Sequence, residues 1–349
     1  MGFLRFIAKR VLLMIGVLFG VSLVIFVLSR GFPSKYPPWV QYLAGISSSP
    51  TPAELAQVKA AHGFNLPLYE QYFYWLRDIS SGNWGVSVWA GNQSTYLIFI
   101  RRFPLTVELA VSALIVTLAI GIPLGIVSAT KSGKWPDHIA RIVSLAGYSL
   151  PVFWLGYLLQ LLFAYYFKIW HLPYLPSTGA VDTQFVGTMR VITGVPVLDA
   201  TLEGNISYFW SAFDHLILPA LTLSLALLGY LTRTVRSSML EVLRQDYIVM
   251  ARSKGISERV VIYRHALRNA LIPAITIMGL LFAFTLGGVV VIEYVFSWPG
   301  VGWASLQAIV ENDSGFLMLY TLVSAAIIGV SNLAVDVIYG ILDPRIKLK

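Results

Sequence analysis

The sequence predicts an all-α integral membrane protein with six transmembrane helices, and three observations point there. Of 349 residues, 57% are hydrophobic and only 12% charged, against about 45–50% and about 25% in soluble domains. The mean hydropathy of +0.72 arises from apolar blocks, and about 20 such residues of helix cross a hydrocarbon core of roughly 30 Å. Six blocks qualify: 11–28, 105–129, 139–170, 215–231, 271–296 and 316–342. The third observation is that lysine and arginine divide unevenly between the loops. These features exclude a cytosolic catalyst and a nucleic-acid reader. The absence of cysteine excludes a disulfide scaffold, a thiolate metal site and a cysteine nucleophile.

The first block follows Arg5, Lys9 and Arg10, like the basic start of a signal peptide. Its apolar run is too long for one, however, and it ends in Ser29-Arg30-Gly31 rather than a small-residue cleavage site. It is read as a retained span. Residues 32–103 then form a long outer segment rich in Pro, Ser, Gly and aromatics, with one helical stretch at Pro52–Ala61. Thr51 is its N-cap, and Glu54 completes a capping box. After the spans 105–129 and 139–170, a second outer segment at 171–214 carries Pro173, Pro176, Gly179, Gly187, Gly194 and Pro196. That composition predicts loop with a short helix. With the N-terminus in the cytosol, 17 of the 25 lysines and arginines fall on the cytoplasmic side, and both termini lie there. The expected organisation is a tail and first span at 1–31, an extracytoplasmic segment at 32–103, and a five-span core at 104–349. The outer segments read equally as a lid over the bundle or as a docking surface. Without an internal repeat, an inverted-repeat carrier gains no support.

Eight basic residues fall in 233–270, a stretch far longer than a helical hairpin needs. On a helix, Tyr247, Ala251 and Gly255 stand four apart on one face with Ile248 beside them. Two small residues in that row would let another backbone approach closely. Gly255 suits the left-handed residue that ends a helix, and Ser257 with Glu258 can start the next. The expectation is two short helices at an angle, lying along the inner face. They are either a basic amphipathic pair held by anionic lipid or a docking element for a soluble partner.

This stretch resembles the EAA loop of ABC-importer permeases, here spanning about 241–270, in the form found in the dipeptide/oligopeptide/nickel family. Ala251, Gly255 and Pro273 fill the motif's places, whereas Val249 and Met250 stand where it opens with Glu-Ala. Residues 103–110 (FPLTVELA), 149–154 (SLPVFW), 215–223 (HLILPALTL), 287–302 and 336–346 resemble the same family in the same order. The long outer segment fits the B-type subunit. The resemblance implies a type I importer permease fold that supplies half of a translocation pathway. The other half would be a C-type permease subunit, with two ABC ATPase subunits, an extracytoplasmic solute-binding protein and membrane lipid as further partners. Helix 246–254 would be the coupling helix, with Tyr247, Ile248, Ala251, Arg252, Ser253, Lys254 and Gly255 as ATPase-coupling residues. Ala251 and Gly255 would permit close docking, and Arg252 and Lys254 would supply polar contacts. The implied cargo is a di- or oligopeptide, with an oligosaccharide or nickel as the alternatives.

The residues agree that catalysis lies elsewhere. The phosphate-loop pattern G-x-x-x-x-G-K-[ST] is absent, and the one Gly-Lys pair, Gly133-Lys134, is followed by Trp135. ATP and Mg would therefore bind partner chains, and this chain carries no cofactor. Neither His-Glu-x-x-His nor Gly-x-Ser-x-Gly occurs. Glu108, Glu293 and Asp336 lie in or beside apolar spans, where a charge must be paired or wet. Asp336 is expected to pair with a basic group near the inner face, and Glu108 with Arg101 or Arg102. Glu293 either lines the outer mouth or pairs with a neighbour. These carboxylates sit toward span ends, which disfavours a stand-alone ion-coupled secondary transporter. Trp39, Trp75, Trp84, Trp89, Trp170, Trp210, Trp298 and Trp303 fall near the outer interface, as an aromatic belt would.

Overall fold

The computed structural model describes residues 2–31, 37–43 and 51–342. It opens with α1 (Gly2–Gly31), a 3₁₀ turn at Val40–Tyr42, α2 (Pro52–Ala61) and α3 (Leu68–Ser80). A two-stranded hairpin follows, β1 (Val86–Ser87) antiparallel to β2 (Gln93–Ser94), with Val86 opposite Ser94. Next come α4 (Thr95–Thr130), α5 (Trp135–Ser149) and α6 (Val152–Leu159), which runs through a π-helical stretch at Gln160–Tyr166 into α7 (Phe167–Ile169). Beyond lie α8 (Pro196–Glu203), α9 (Ile206–Val242), α10 (Asp246–Ser253) and α11 (Glu258–Val260). A second π-helical stretch at Val261–Ala266 joins α11 to α12 (Leu267–Gly288), and α13 (Val290–Val295), α14 (Val301–Val310) and α15 (Ser314–Leu342) complete the described residues.

Among the described residues, six helices are long and apolar enough to cross a membrane: Arg5–Gly31, Thr95–Thr130, Val152–Ile169, Ile206–Val242, Glu258–Phe282 and Ser314–Val337. Each overlaps one predicted block, but three boundaries move. The block at 139–170 is two helices, because Leu150 before Pro151 is held extended (φ −86°, ψ 137°) and ends α5. The second span starts earlier than its apolar run, at Thr95, so the expected boundary at 103/104 falls inside α4. The expected second short helix after Gly255 does not stand alone. From Glu258 the chain stays helical through the π stretch into α12, and Pro273 lies inside that helix rather than at its end.

α9 is the most enclosed of the six and α1 among the least. Leu12, Leu13, Val17 and Phe19 of α1 are all more than half exposed, as a lipid-facing helix requires. Lipid is as apolar as leucine, so helix pairs in a bilayer gain by close packing of small residues rather than by leaving water. α9 follows that rule against α4 and α5. A Cβ added at Gly125 of α4 would lie 2.6 Å from Val235 Cβ. One at Gly147 of α5 would lie 2.4 Å from the Leu225 carbonyl oxygen, and one at Gly229 of α9 would lie 2.6 Å from that of Ser144. α5 and α9 therefore touch backbone to backbone.

The segment before α4 is more ordered than its composition suggests. The capping box forms: Glu54 N–H donates to Thr51 Oγ1 (3.3 Å), and Thr51 N–H to the Glu54 carboxylate (2.7 Å). α3 was not expected, although Tyr72, Trp75, Leu76 and Ile79 recur at helical spacing. Tyr72 and Trp75 bury against Phe26 and Met318, and the Tyr72 hydroxyl lies 2.7 Å from that of Ser22. The hairpin turns through Gly91 and Asn92, both with positive φ, and is tied to the start of α15 by a hydrogen bond from Ser87 to Asp313.

Candidate functional site

The candidate coupling residues lie on α10 and its C-terminal turn. Asp246 places a carboxylate in the first turn, where the helix dipole favours it. The other end is a Schellman cap: Gly255, at φ +77°, donates to the Arg252 carbonyl (2.9 Å), and Ile256 donates to that of Ala251 (3.3 Å). The predicted left-handed glycine is therefore present, and nothing lies within 4 Å of where its Cβ would stand. Gly255 is needed for its backbone conformation and leaves an open outer surface.

The row Tyr247–Ala251–Gly255 does not form one outward face. Ile248 (0% exposed) and Ala251 (8%) point into the chain's own core, among Ile126 and Ala129 of α4, Val235 and Met239 of α9, and Val261 and Ala266. The outward surface is Tyr247, Val249 and Met250, each more than 40% exposed, together with Ser253 and Lys254. Val249 and Met250 passed in the sequence as departures from a motif. Both are apolar and exposed, directly after the inward-facing Ile248. Arg252 is committed within the chain, its Nε and a terminal nitrogen reaching the two Glu258 oxygens at 3.1 and 2.7 Å. Asn269 Nδ2 donates to the Tyr247 hydroxyl (2.8 Å). α10 is thus tied to α11 by the Arg252–Glu258 pair and to α12 by the Asn269–Tyr247 bond, and seated on the ends of α4 and α9 by apolar contacts.

Beside it lies a charge cluster that the sequence did not disclose. Asp137 of α5 is fully buried and accepts from Arg236 of α9 at 2.9 and 3.1 Å, from Ser128 of α4 and from Gly133 N–H (2.9 Å). The hydrogen bonds from Arg236, helped by those of Ser128 and Gly133, hold its carboxyl well below the usual carboxylate range.

The three intramembrane carboxylates resolve differently. Asp336 pairs with Arg10 of α1 at 3.0 Å, as expected of a pair near that end; Asp343 and Arg345 lie outside the described residues. Glu293 is a buried tie: Oε1 accepts from the Thr106 hydroxyl (2.6 Å) and Oε2 from Trp303 N–H (2.8 Å). Gly300 and Gly302 leave it room, since a Cβ at either would come within 3.0 Å of the carboxylate. Glu108 corrects the expectation. It accepts from Val197 N–H in the first turn of α8 (3.1 Å) and pairs with neither Arg101 nor Arg102. Arg102 instead donates to the Pro299 carbonyl (3.0 Å) and stands over the Trp303 ring. Six residues along a helix point to different faces, and two turns place Arg101 about 10 Å away along the axis. The tryptophans also divide. Trp170 and Trp210 are more than half exposed, whereas Trp75 and Trp298 are buried, the latter donating to the Leu105 carbonyl (3.0 Å).

Residues 121–348 match the family described as binding-protein-dependent transport system inner membrane component, and residues 3–110 match its N-terminal companion. The chain is 37% identical over 344 residues to the di/tripeptide transport system permease protein DppB of Pseudomonas aeruginosa, covering 99% of each. It is 36% identical over 347 residues to the dipeptide transport system permease protein DppB of Escherichia coli K12, again covering 99% of each. Its identity to the oligopeptide transport system permease protein AppB of Bacillus subtilis is 34% over 342 residues, covering 98% of this chain and 99% of that one. The chain belongs to the family of inner membrane components of binding-protein-dependent transport systems.

Proposed function

We propose that this chain is one of two permease subunits of an ATP-driven importer for di- or oligopeptides, and that α10 couples it to a cytoplasmic ATPase. The observation that carries this reading is the mounting of α10. An outward surface of Tyr247, Val249, Met250, Ser253 and Lys254 sits on a helix packed rigidly against the ends of α4, α9 and α12. A partner that changes shape with its nucleotide gains leverage on the bundle only through such a mount, because a conformational shift needs contacts that differ between two states. The excess of lysine and arginine in the loops at the α10 end supports a cytoplasmic position for it. The names of the full-length relatives support peptide cargo. A C-type permease chain would complete the pathway, and a solute-binding protein would deliver cargo to the opposite end.

The test is reconstitution of the chain with a C-type permease, the ATPases and the binding protein in proteoliposomes. ATP-dependent uptake of a radiolabelled dipeptide is the expected result. Uptake of oligosaccharides or nickel with no uptake of peptides would sink the cargo assignment, and uptake independent of ATP would sink the coupling.

A further inference from the structure

At the α10 end of the bundle, α4, α5 and α9 enclose a cleft of about 240 Å³ whose wall includes Ser128, Arg141, Tyr148, Thr232, Arg233 and Arg236. Three arginines line it and no acidic residue does. The nearest acid, Asp137, lies behind the wall with 1% of its side chain exposed. It takes two hydrogen bonds from Arg236 and stands 3.4 Å from Arg141 Nε. One buried carboxylate thus orients two guanidinium groups and neutralises the charge of one, and Arg233 takes no part in the hydrogen bonds to Asp137. The wall keeps a positive excess, with Arg236 and Arg141 oriented by Asp137. The hydroxyl protons of Ser128, Ser144 and Thr232 are already given to Asp137, Ala140 and Gly121 within the chain, so recognition falls to the arginines and the Tyr148 hydroxyl.

We propose that this cleft binds a phosphate-bearing anion, the chemistry shared by an acidic phospholipid headgroup and free inorganic phosphate. Guanidinium groups arriving from two helices suit a tetrahedral anion with several acceptor oxygens, which they engage through paired N–H donors. The lipid source is favoured by what borders the cleft. Ile142 and Leu145 of α5 are 66% and 58% exposed beside Arg141, an apolar row along which acyl chains can lie while the headgroup meets the arginines. Basic recesses between spanning helices hold acidic headgroups by this combination.

The test follows the melting temperature of the full chain in detergent during titration with phosphatidylglycerol, phosphatidylcholine or inorganic phosphate. It is repeated for Arg233→Gln and for Arg141→Gln, both of which leave the Asp137–Arg236 pair in place. A rise with phosphatidylglycerol but not phosphatidylcholine is expected, with the apparent affinity falling about tenfold in either variant, the loss of one charge-assisted hydrogen bond. A rise with inorganic phosphate that the variants weaken equally would support the site and assign it a soluble ligand. If the two lipids act alike and phosphate does nothing, or if both variants respond as wild type does, the proposal is overturned.

Discussion

Replacing Gly255 by residues of increasing size separates the two things this position does. Its backbone sits at φ +77° in a Schellman cap, and an added Cβ meets nothing within 4 Å of this chain. Alanine and leucine therefore carry the same backbone strain, about 1–2 kcal/mol for a left-handed L-residue, and the Cβ of either meets open space. Asparagine tolerates that conformation and carries less strain. Each variant is expected to insert in the membrane and to lose at most a few degrees of melting temperature. Function should divide differently if an ATPase packs against this corner. A leucine side chain forced into a close-packed contact costs about 1–3 kcal/mol, roughly a tenfold to hundredfold loss of docking. The assay is ATP hydrolysis and peptide uptake by the reconstituted importer. Gly255→Asn and Gly255→Ala should keep hydrolysis and uptake linked, and Gly255→Leu should hydrolyse ATP with uptake down at least about tenfold. If Gly255→Leu transports as well as Gly255→Ala, no partner meets α10 at this corner and the coupling assignment fails.

Gly147→Ala should lower the melting temperature, because its methyl group would stand 2.4 Å from a backbone oxygen of α9 that cannot turn away. Gly16→Ala on α1, with open space around it, should leave the melt unchanged or higher; equal effects at the two sites would refute the backbone contact between α5 and α9. Asp137→Asn should destabilise by about 3 kcal/mol, the low end for breaking a buried ion pair, because Arg236 is 25% exposed. The Asp137 carboxyl is depressed in the folded chain, so its contribution is fully present above about pH 4 and fades as the pH falls below that. Melts of wild type and Asp137→Asn should therefore converge in acid, and a gap that widens there would contradict the pairing.

Local chemistry settled much of this protein before any fold was known. In lipid every backbone polar group must bond within its own segment, so an apolar run of sufficient length is a helix whatever surrounds it, and all six runs were legible. The Thr51–Glu54 box and the Gly255 cap were legible too, since each is completed within a few residues. Tertiary packing decided which way each helix faces. A soluble helix shows its inner face by an apolar stripe, but a membrane helix is apolar toward lipid and toward its neighbours alike. That is why periodicity alone does not show that Leu109 of α4 and Leu231 of α9 face inward while Ile115 of α4 faces out. The partners of the buried charges stand too far along the chain for any spacing rule: Asp137 meets Arg236 across 99 positions and Glu293 meets Thr106 across 187. Sequence fixes where a carboxylate must be compensated, because an unpaired charge in a bilayer is so unfavourable. Only the crossing of α4, α5, α9 and α13 determines what compensates it.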